Sequence, residues 1–301
     1  MKAGRPIAAV ALLFSSLFCL SQNNLIKVDV NLVLVTVTVT DSHNRFVQGL
    51  QKEQFQVWED KIEQEPISFS NENTPVTLGI IVDKSGSMGG RRFPSGSSLP
   101  TLQDQMISTA ASCLRDGIRE DEYFLLEFSD RPMITADFTN DISKLGQQLV
   151  FMGAGGKTAL WDAIYLGMTK LEHASNSRKA LLVLTDGIEN RSRYSLSELK
   201  SFVREQDVRI YSIDPVQVQF SGVDQLAELT GGRVFRSSNP CMELSADLRN
   251  QYVIGYHPTN RATDGAWRSI RVRVKPDGLP KEMSNLNVRA RSGYYAEAGK
   301  R

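Results

Sequence analysis

The stretch TLGIIVDKSGSMGG, residues 77–90, passes from apolar to polar within one step. Leu78, Ile80, Ile81 and Val82 form a continuous apolar run. It ends in Asp83, with Ser85 and Ser87 following at alternate positions. A continuous apolar run bounded by turn residues predicts a strand buried on both faces. Such strands belong to parallel sheets covered by helices, and ligands of open sheets of that kind bind beyond the carboxyl ends of the strands. A loop in near-extended conformation points alternate residues the same way. One carboxylate and two hydroxyls would then converge at the tip of a buried strand.

The surrounding sequence fits this reading. VTLGIIVD, EYFLLEFS, ALLVLTD and VRIYSID read as strands; TLQDQMISTAASCLRDGI, TALWDAIYLGMTKLEHA, LSELKSFVREQ and GVDQLAEL read as helices, with a last helix at about 242–250. Strand and helix in alternation predict a mainly parallel, doubly wound sheet. The flanks have period two. In IKVDVNLVLVTVTVT the apolar phase changes between Leu32 and Val35, which predicts a bulge or bend near 31–34. After the last helix, Ile270, Val272 and Val274 alternate with Arg271, Arg273 and Lys275. The excess of basic residues there reads as a solvated strand face.

Composition bounds the function. With 301 residues and a formal charge of +1, nothing points to nucleic acid as a partner. Lys2 and Arg5 precede the uncharged run PIAAVALLFSSLFCL, residues 6–20, and polar residues follow. This is the layout of a secretory signal peptide ending at Ser21, and its core is short for a membrane span. The bulky Phe18 before Cys19 argues against lipid attachment at that cysteine. Export would leave Cys113 and Cys241, too few for a disulfide framework, and Cys113 falls in a helical pattern as a core residue. The expected location is the periplasm, the cell envelope or outside the cell, with no transmembrane segment after cleavage.

Two further positions complete the set at Asp83. Thr158 follows the glycine-rich turn in GAGGKTALWDAI, and Asp186, followed by Gly187, ends the apolar run of ALLVLTDGIEN. Oxygen donors without a nearby histidine or cysteine suit magnesium first, with manganese or calcium as alternatives, and argue against zinc. Asp83, Ser85, Ser87, Thr158 and Asp186, in this order on a strand–helix alternation, resemble the metal-ion-dependent adhesion site of von Willebrand factor A domains. The resemblance covers roughly residues 74–252. The flanks are similar to exported bacterial proteins described as having a von Willebrand factor A-related domain.

The resemblance implies that the two serines bind the metal directly, the two aspartates act largely through water, and the threonine joins when a ligand is engaged. It also implies that a Glu or Asp of a protein or matrix partner completes the coordination, as in adhesion. Met88, Gly89, Lys157 and Glu189 would form the rim. The alternative function is a non-catalytic, metal-bearing subunit of an envelope enzyme or maturation complex.

Enzymatic readings fail on spacing. The stretch SGSMG has Ser85 where a nucleophile elbow needs glycine, and none of His43, His173 and His257 follows a strand end of the predicted parallel sheet. GGKT lacks the first glycine of a phosphate-binding loop, because position 151 is Phe. No catalytic residue is assigned.

The expected organisation is a signal peptide at 1–21, a β segment at 22–73, an A-like α/β domain at 74–251 and a second β segment at 252–301. Neither β segment buries enough surface to fold alone. The α/β domain is therefore expected to be inserted in, or flanked by, a small β-sandwich that the two segments build together, with Val35, Val37 and Val39 sharing a core with Ile270, Val272 and Val274.

Overall fold

A computed structural model describes residues 32–71, 73–89, 100–150, 153–214, 221–275 and 285–298, all within one unit, Asn31–Arg301. The expected signal peptide lies outside the described residues.

The chain begins with four strands, β1 (Val33–Thr40), β2 (Phe55–Glu59), β3 (Ile62–Gln64) and β4 (Pro66–Ser70). The strand read from TLGIIVD follows as β5 (Val76–Asp83), with all eight residues buried. Its burial comes from neighbours on every side. β6 (Glu122–Phe128) and β8 (Arg178–Leu184) pair with it in parallel. Helices cover both faces, α1 (Leu102–Arg115) on one and α3 (Leu160–Leu171) on the other.

Between these elements run β7 (Pro132–Thr139) and α2 (Ile142–Val150); after β8 come α4 (Leu196–Glu205), β9 (Arg209–Ile213), α5 (Ser221–Thr230), β10 (Val234–Phe235) and α6 (Pro240–Arg249). The six-stranded sheet has the order β10-β9-β8-β5-β6-β7. β7 alone in it is antiparallel to its neighbour. This is the doubly wound, mainly parallel architecture that the sequence predicts.

Alternation along β5 sorts its side chains between two cores. Leu78, Ile80 and Val82 pack with Met106, Leu114, Leu244 and Leu248 on the side of α1 and α6. Ile81 packs with Leu160, Ile164, Leu199 and Val203 on the side of α3 and α4. At Gly79 a Cβ would stand 2.3 Å from the Phe124 ring, so the absence of a side chain there makes room for that ring. Helix starts are fixed locally: Thr101 with Asp104, and Ser195 with Glu198, form reciprocal capping boxes at α1 and α4.

Cys113 is buried, as the sequence predicts, but it does more than pack. It forms a disulfide with Cys241, joining α1 to α6 across a sequence separation of 128. The sequence reading takes Cys113 as a core residue and does not anticipate this single bond. Two helices lying on the same sheet face bring distant thiols together.

The remaining strands are β11 (Tyr252–Tyr256), β12 (Trp267–Val274), β13 (Asn287–Ala290) and β14 (Gly293–Tyr295). They interleave with the first four. One four-stranded sheet has the order β13-β1-β11-β4 and another the order β14-β12-β2-β3, so each draws on both ends of the chain. Val35, Val37, Val39, Phe55, Val57, Tyr252, Ile254, Ile270 and Val272 share one buried cluster, with Val274 packed against it.

The expected bulge near 31–34 is absent from β1, which pairs with β11 in unbroken register from Val33 to Val37. Val28 and Val30 lie outside the described residues, and Leu32 is exposed. Thr38 is buried on the opposite face of β1, where it meets Arg209 of β9 and Asp247 of α6. Among the described residues no helix is long and apolar enough to cross a membrane.

Candidate functional site

β5 delivers Asp83 to the carboxyl edge of the sheet, opposite Phe128 of β6 and beside the end of β8. Three loops meet there beside the end of β6, and all four segments are laced by their backbones. Lys84 N donates to Phe128 O at 2.9 Å, Gly155 N to Lys84 O at 2.7 Å and Gly86 N to Gly156 O at 2.9 Å. Ala159 N donates to Ser129 O at 2.8 Å, while Asn190 N and Arg191 N both donate to Thr158 O. Gly156 has φ +88°, and a Cβ there would meet the Asp130 carboxylate at 2.5 Å, so the turn before Thr158 requires glycine.

Asp83 is wholly buried. Its Oδ1 accepts Ser85 N at 2.8 Å, and its Oδ2 accepts Thr185 Oγ1 at 2.6 Å. Burial pushes its pKa above the ordinary carboxylate range and the charge of Asp186 adds to that, while the bonds from Ser85 and Thr185 oppose both. Ser85 is buried and Ser87 exposed, with their hydroxyl oxygens 3.1 Å apart. Thr158 is buried, and its N–H donates to Asn190 Oδ1 at 3.0 Å. Asp186 is half-exposed, with Oδ1 accepting Ile188 N at 3.1 Å. All five predicted residues therefore stand on the three interlaced loops. Of these five, the serine hydroxyls touch each other, and Asp83 feels the charge of Asp186.

The rim is only partly as expected. Met88 is fully buried and belongs to the same cluster as Val82 and Met106, because the short helical turn Gly86–Gly89 rolls it inward. Its assignment to the rim is therefore corrected. Glu189 is half-buried and serves the start of α3. Its Oε2 accepts Leu160 N at 2.7 Å and Trp161 N at 3.2 Å, and its Oε1 accepts Arg191 N and Ser192 N. It acts as an anchor rather than a free rim group. Gly89 is half-exposed and Lys157 exposed. Thr185, which holds Asp83, escaped the sequence reading although it directly precedes Asp186.

The residues fit a hard cation. Two carboxylates and three hydroxyls approach one sheet edge, and among the described residues neither Asp83 nor Asp186 has a Lys, Arg or His salt-bridge partner. Lys84, next in sequence, turns instead to Glu127 at 3.2 Å. A wholly buried carboxylate without a counter-charge is costly, and a cation would offset that cost. No described group of three or more His, Cys, Asp or Glu side chains is placed to hold a metal, so coordination here would depend on the hydroxyl oxygens.

The model of the von Willebrand factor type A domain family matches residues 78–189. An uncharacterized protein of Borreliella burgdorferi is 26% identical over 137 residues, which are 44% of this chain and 39% of the relative. The chain thus spans well under half the length of that relative. Among solved structures, the conserved hypothetical protein BatB from Bacteroides thetaiotaomicron is 15% identical with a TM-score of 0.45, covering 57% of this chain and 97% of that one. The PilB minor pilin from Streptococcus sanguinis is 13% identical with a TM-score of 0.48, covering 58% and 60% respectively.

Proposed function

Since the chain carries a von Willebrand factor type A domain, we propose that it is an exported protein-binding module of the adhesion type, which captures an acidic side chain of a protein or matrix partner through a divalent cation. The observation that supports this reading is the backbone lacing of the loops that carry Ser85, Ser87, Thr158 and Asp186 at the sheet edge where Asp83 ends β5.

These five residues would hold the cation, magnesium first and manganese or calcium in its place. Bound there, it would supply a Lewis-acidic position open to a carboxylate oxygen. The protein's own part is positioning. Ser85 N and Thr185 Oγ1 fix both oxygens of Asp83, so the carboxylate is oriented before any ion arrives. Neutral hydroxyls from Ser85, Ser87 and Thr158 leave positive charge uncancelled, which favours an anionic partner group. Lys157, exposed on the adjoining turn, adds attraction for the same group.

Export is proposed from the amino-terminal layout and is supported by the Cys113–Cys241 disulfide, a bond that persists in oxidising compartments. No catalytic role is assigned to any residue. The test is capture of partners from envelope extracts on immobilised protein, with magnesium and again with chelator. Partners retained with magnesium, released by chelator and absent with Asp83→Ala support the proposal. Identical capture under all three conditions would refute it.

A further inference from the structure

The outer face of the sheet containing β2 and β12 carries a second feature, remote in sequence from the metal-site loops. β12 pairs with β2 so that Arg271 lies opposite Trp58 and Arg273 opposite Gln56. Val57 and Val272 on the alternate face point into the sandwich core. Trp58, Lys61, Ser269, Arg271 and Arg273, together with the core residue Ile270, line a groove of about 510 Å³.

Lys61, Arg271 and Arg273 are exposed, and among the described residues none makes a salt bridge. The nearby carboxylates are engaged by neutral donors. Asp60 Oδ1 accepts Ser269 N and Oγ at 2.9 and 3.0 Å, and Glu63 Oε1 accepts Gln56 Nε2 at 3.1 Å. The Arg273 guanidinium stands 5.6 Å from the Trp58 ring centroid, so cation and aromatic surface form one patch. Alternating basic residues on a strand are ordinarily a solvated face. Here they border a groove with an indole in it, and among the described residues none of the three is held in a salt bridge.

We propose that this face binds an acidic polysaccharide, a chain of sugar rings bearing carboxylates. Guanidinium forks pair with carboxylates in bidentate geometry, and an indole offers a flat apolar surface for the C–H face of a sugar ring. Arg271 and Arg273, two residues apart, repeat roughly every 6.6 Å along the strand, a spacing that serves a polymer with recurring charge.

Two other polyanions fit less well. An extended acidic peptide gains affinity from main-chain pairing, but β2 is already paired on both sides, by β12 and β3, and the groove presents side chains. An anionic bilayer is recognised by clusters of about 4–8 Lys or Arg, more than this groove offers.

The test is calorimetric titration of the full chain with oligogalacturonate, in parallel with polyglutamate and phosphatidylserine vesicles, all in the presence of chelator. Saturable oligogalacturonate binding is expected. It should weaken as salt rises and fall at least tenfold in R271Q/R273Q and in Trp58→Ala, with circular dichroism unchanged. The exposed arginines can be replaced without touching the core, so that double variant decides the matter even if Trp58→Ala folds poorly. Absence of binding, equal binding by R271Q/R273Q, or tighter binding of polyglutamate or vesicles would overturn the proposal.

Discussion

Thr38 Oγ1 donates to Asp247 Oδ1 at 3.3 Å, joining residues 209 positions apart across the seam between the sandwich and the α/β sheet. Tyr211 donates to the same oxygen at 3.1 Å, and Arg209 stands 3.8 Å from it. Arg233 Nε lies 3.3 Å from Oδ2, and Arg289 of β13 bonds that oxygen too. Asp247 has no exposed surface, so one buried carboxylate gathers cations from both layers.

Removing that carboxylate would leave the buried Arg209 and the half-buried Arg289 without a carboxylate, while Arg233 would keep Glu243. Asp247→Ala should therefore lower the unfolding free energy by about 3–5 kcal/mol. Urea unfolding measures it, and a loss below about 1 kcal/mol, typical of exposed pairs, would show that the cluster is solvated.

The Cys113–Cys241 bond closes a long stretch of chain, with a sequence separation of 128. Native disulfides contribute typically about 2–4 kcal/mol by restricting the unfolded state, with larger values in the chain-entropy model for long loops. At roughly 2–4 °C per kcal/mol for a chain of this size, the Cys113→Ala/Cys241→Ala double variant should melt about 4–16 °C lower. A melting temperature unchanged by the double substitution or by reductant would show that packing of α1 on α6 suffices.

Alkali should destabilise the fold. Burial, helped by the charge of Asp247, pushes the Tyr211 hydroxyl up to about 12. Burial also raises Tyr256 and Tyr294, each of which donates to Glu59 Oε2 at 2.8 Å. Unfolded tyrosine ionises near pH 10, so this stabilisation is complete below about pH 10 and is lost as pH rises towards the folded values. For wholly buried Tyr211 the slope approaches about 1.4 kcal/mol per pH unit between about pH 10 and 12. Denaturant unfolding at pH 8 and pH 11 tests this, and equal stability at the two would contradict it.

Thr185 holds Asp83 without being assigned to the metal. Groups that orient metal ligands typically matter about 10–100-fold in affinity, so Thr185→Val should weaken divalent-cation binding by that factor without changing the fold. An unchanged affinity would mean that Asp83 is oriented by Ser85 alone.

The parallel sheet was legible because β5, β6, β8 and β9 carry apolar runs between helical segments; Asp83, Ser85, Ser87 and Asp186 were legible because they end or follow such runs, and Thr158 because it follows a glycine-rich turn before a helix. β7 and α2 were not. β7 is an edge strand in which only Ala136 is buried, so it carries little hydrophobic signal, and α2 has Gly146 at its centre. The disulfide was illegible because helix placement, and not local spacing, brings Cys113 to Cys241. Met88 looked exposed because it follows Ser87 in a polar loop, yet the turn after Ser85 directs it into the core. Glu189 looked like a rim group because nothing in its own segment announces that the start of α3 needs a cap.

Whether the edge at Asp83 is a metal centre can be decided by calorimetric titration of magnesium, manganese and calcium into chelator-stripped protein. About one ion per chain should bind, and Asp83→Ala should bind none while its circular dichroism remains that of the parent. Absence of heat with all three ions, or undiminished binding by Asp83→Ala, would contradict the proposed cation-mediated capture.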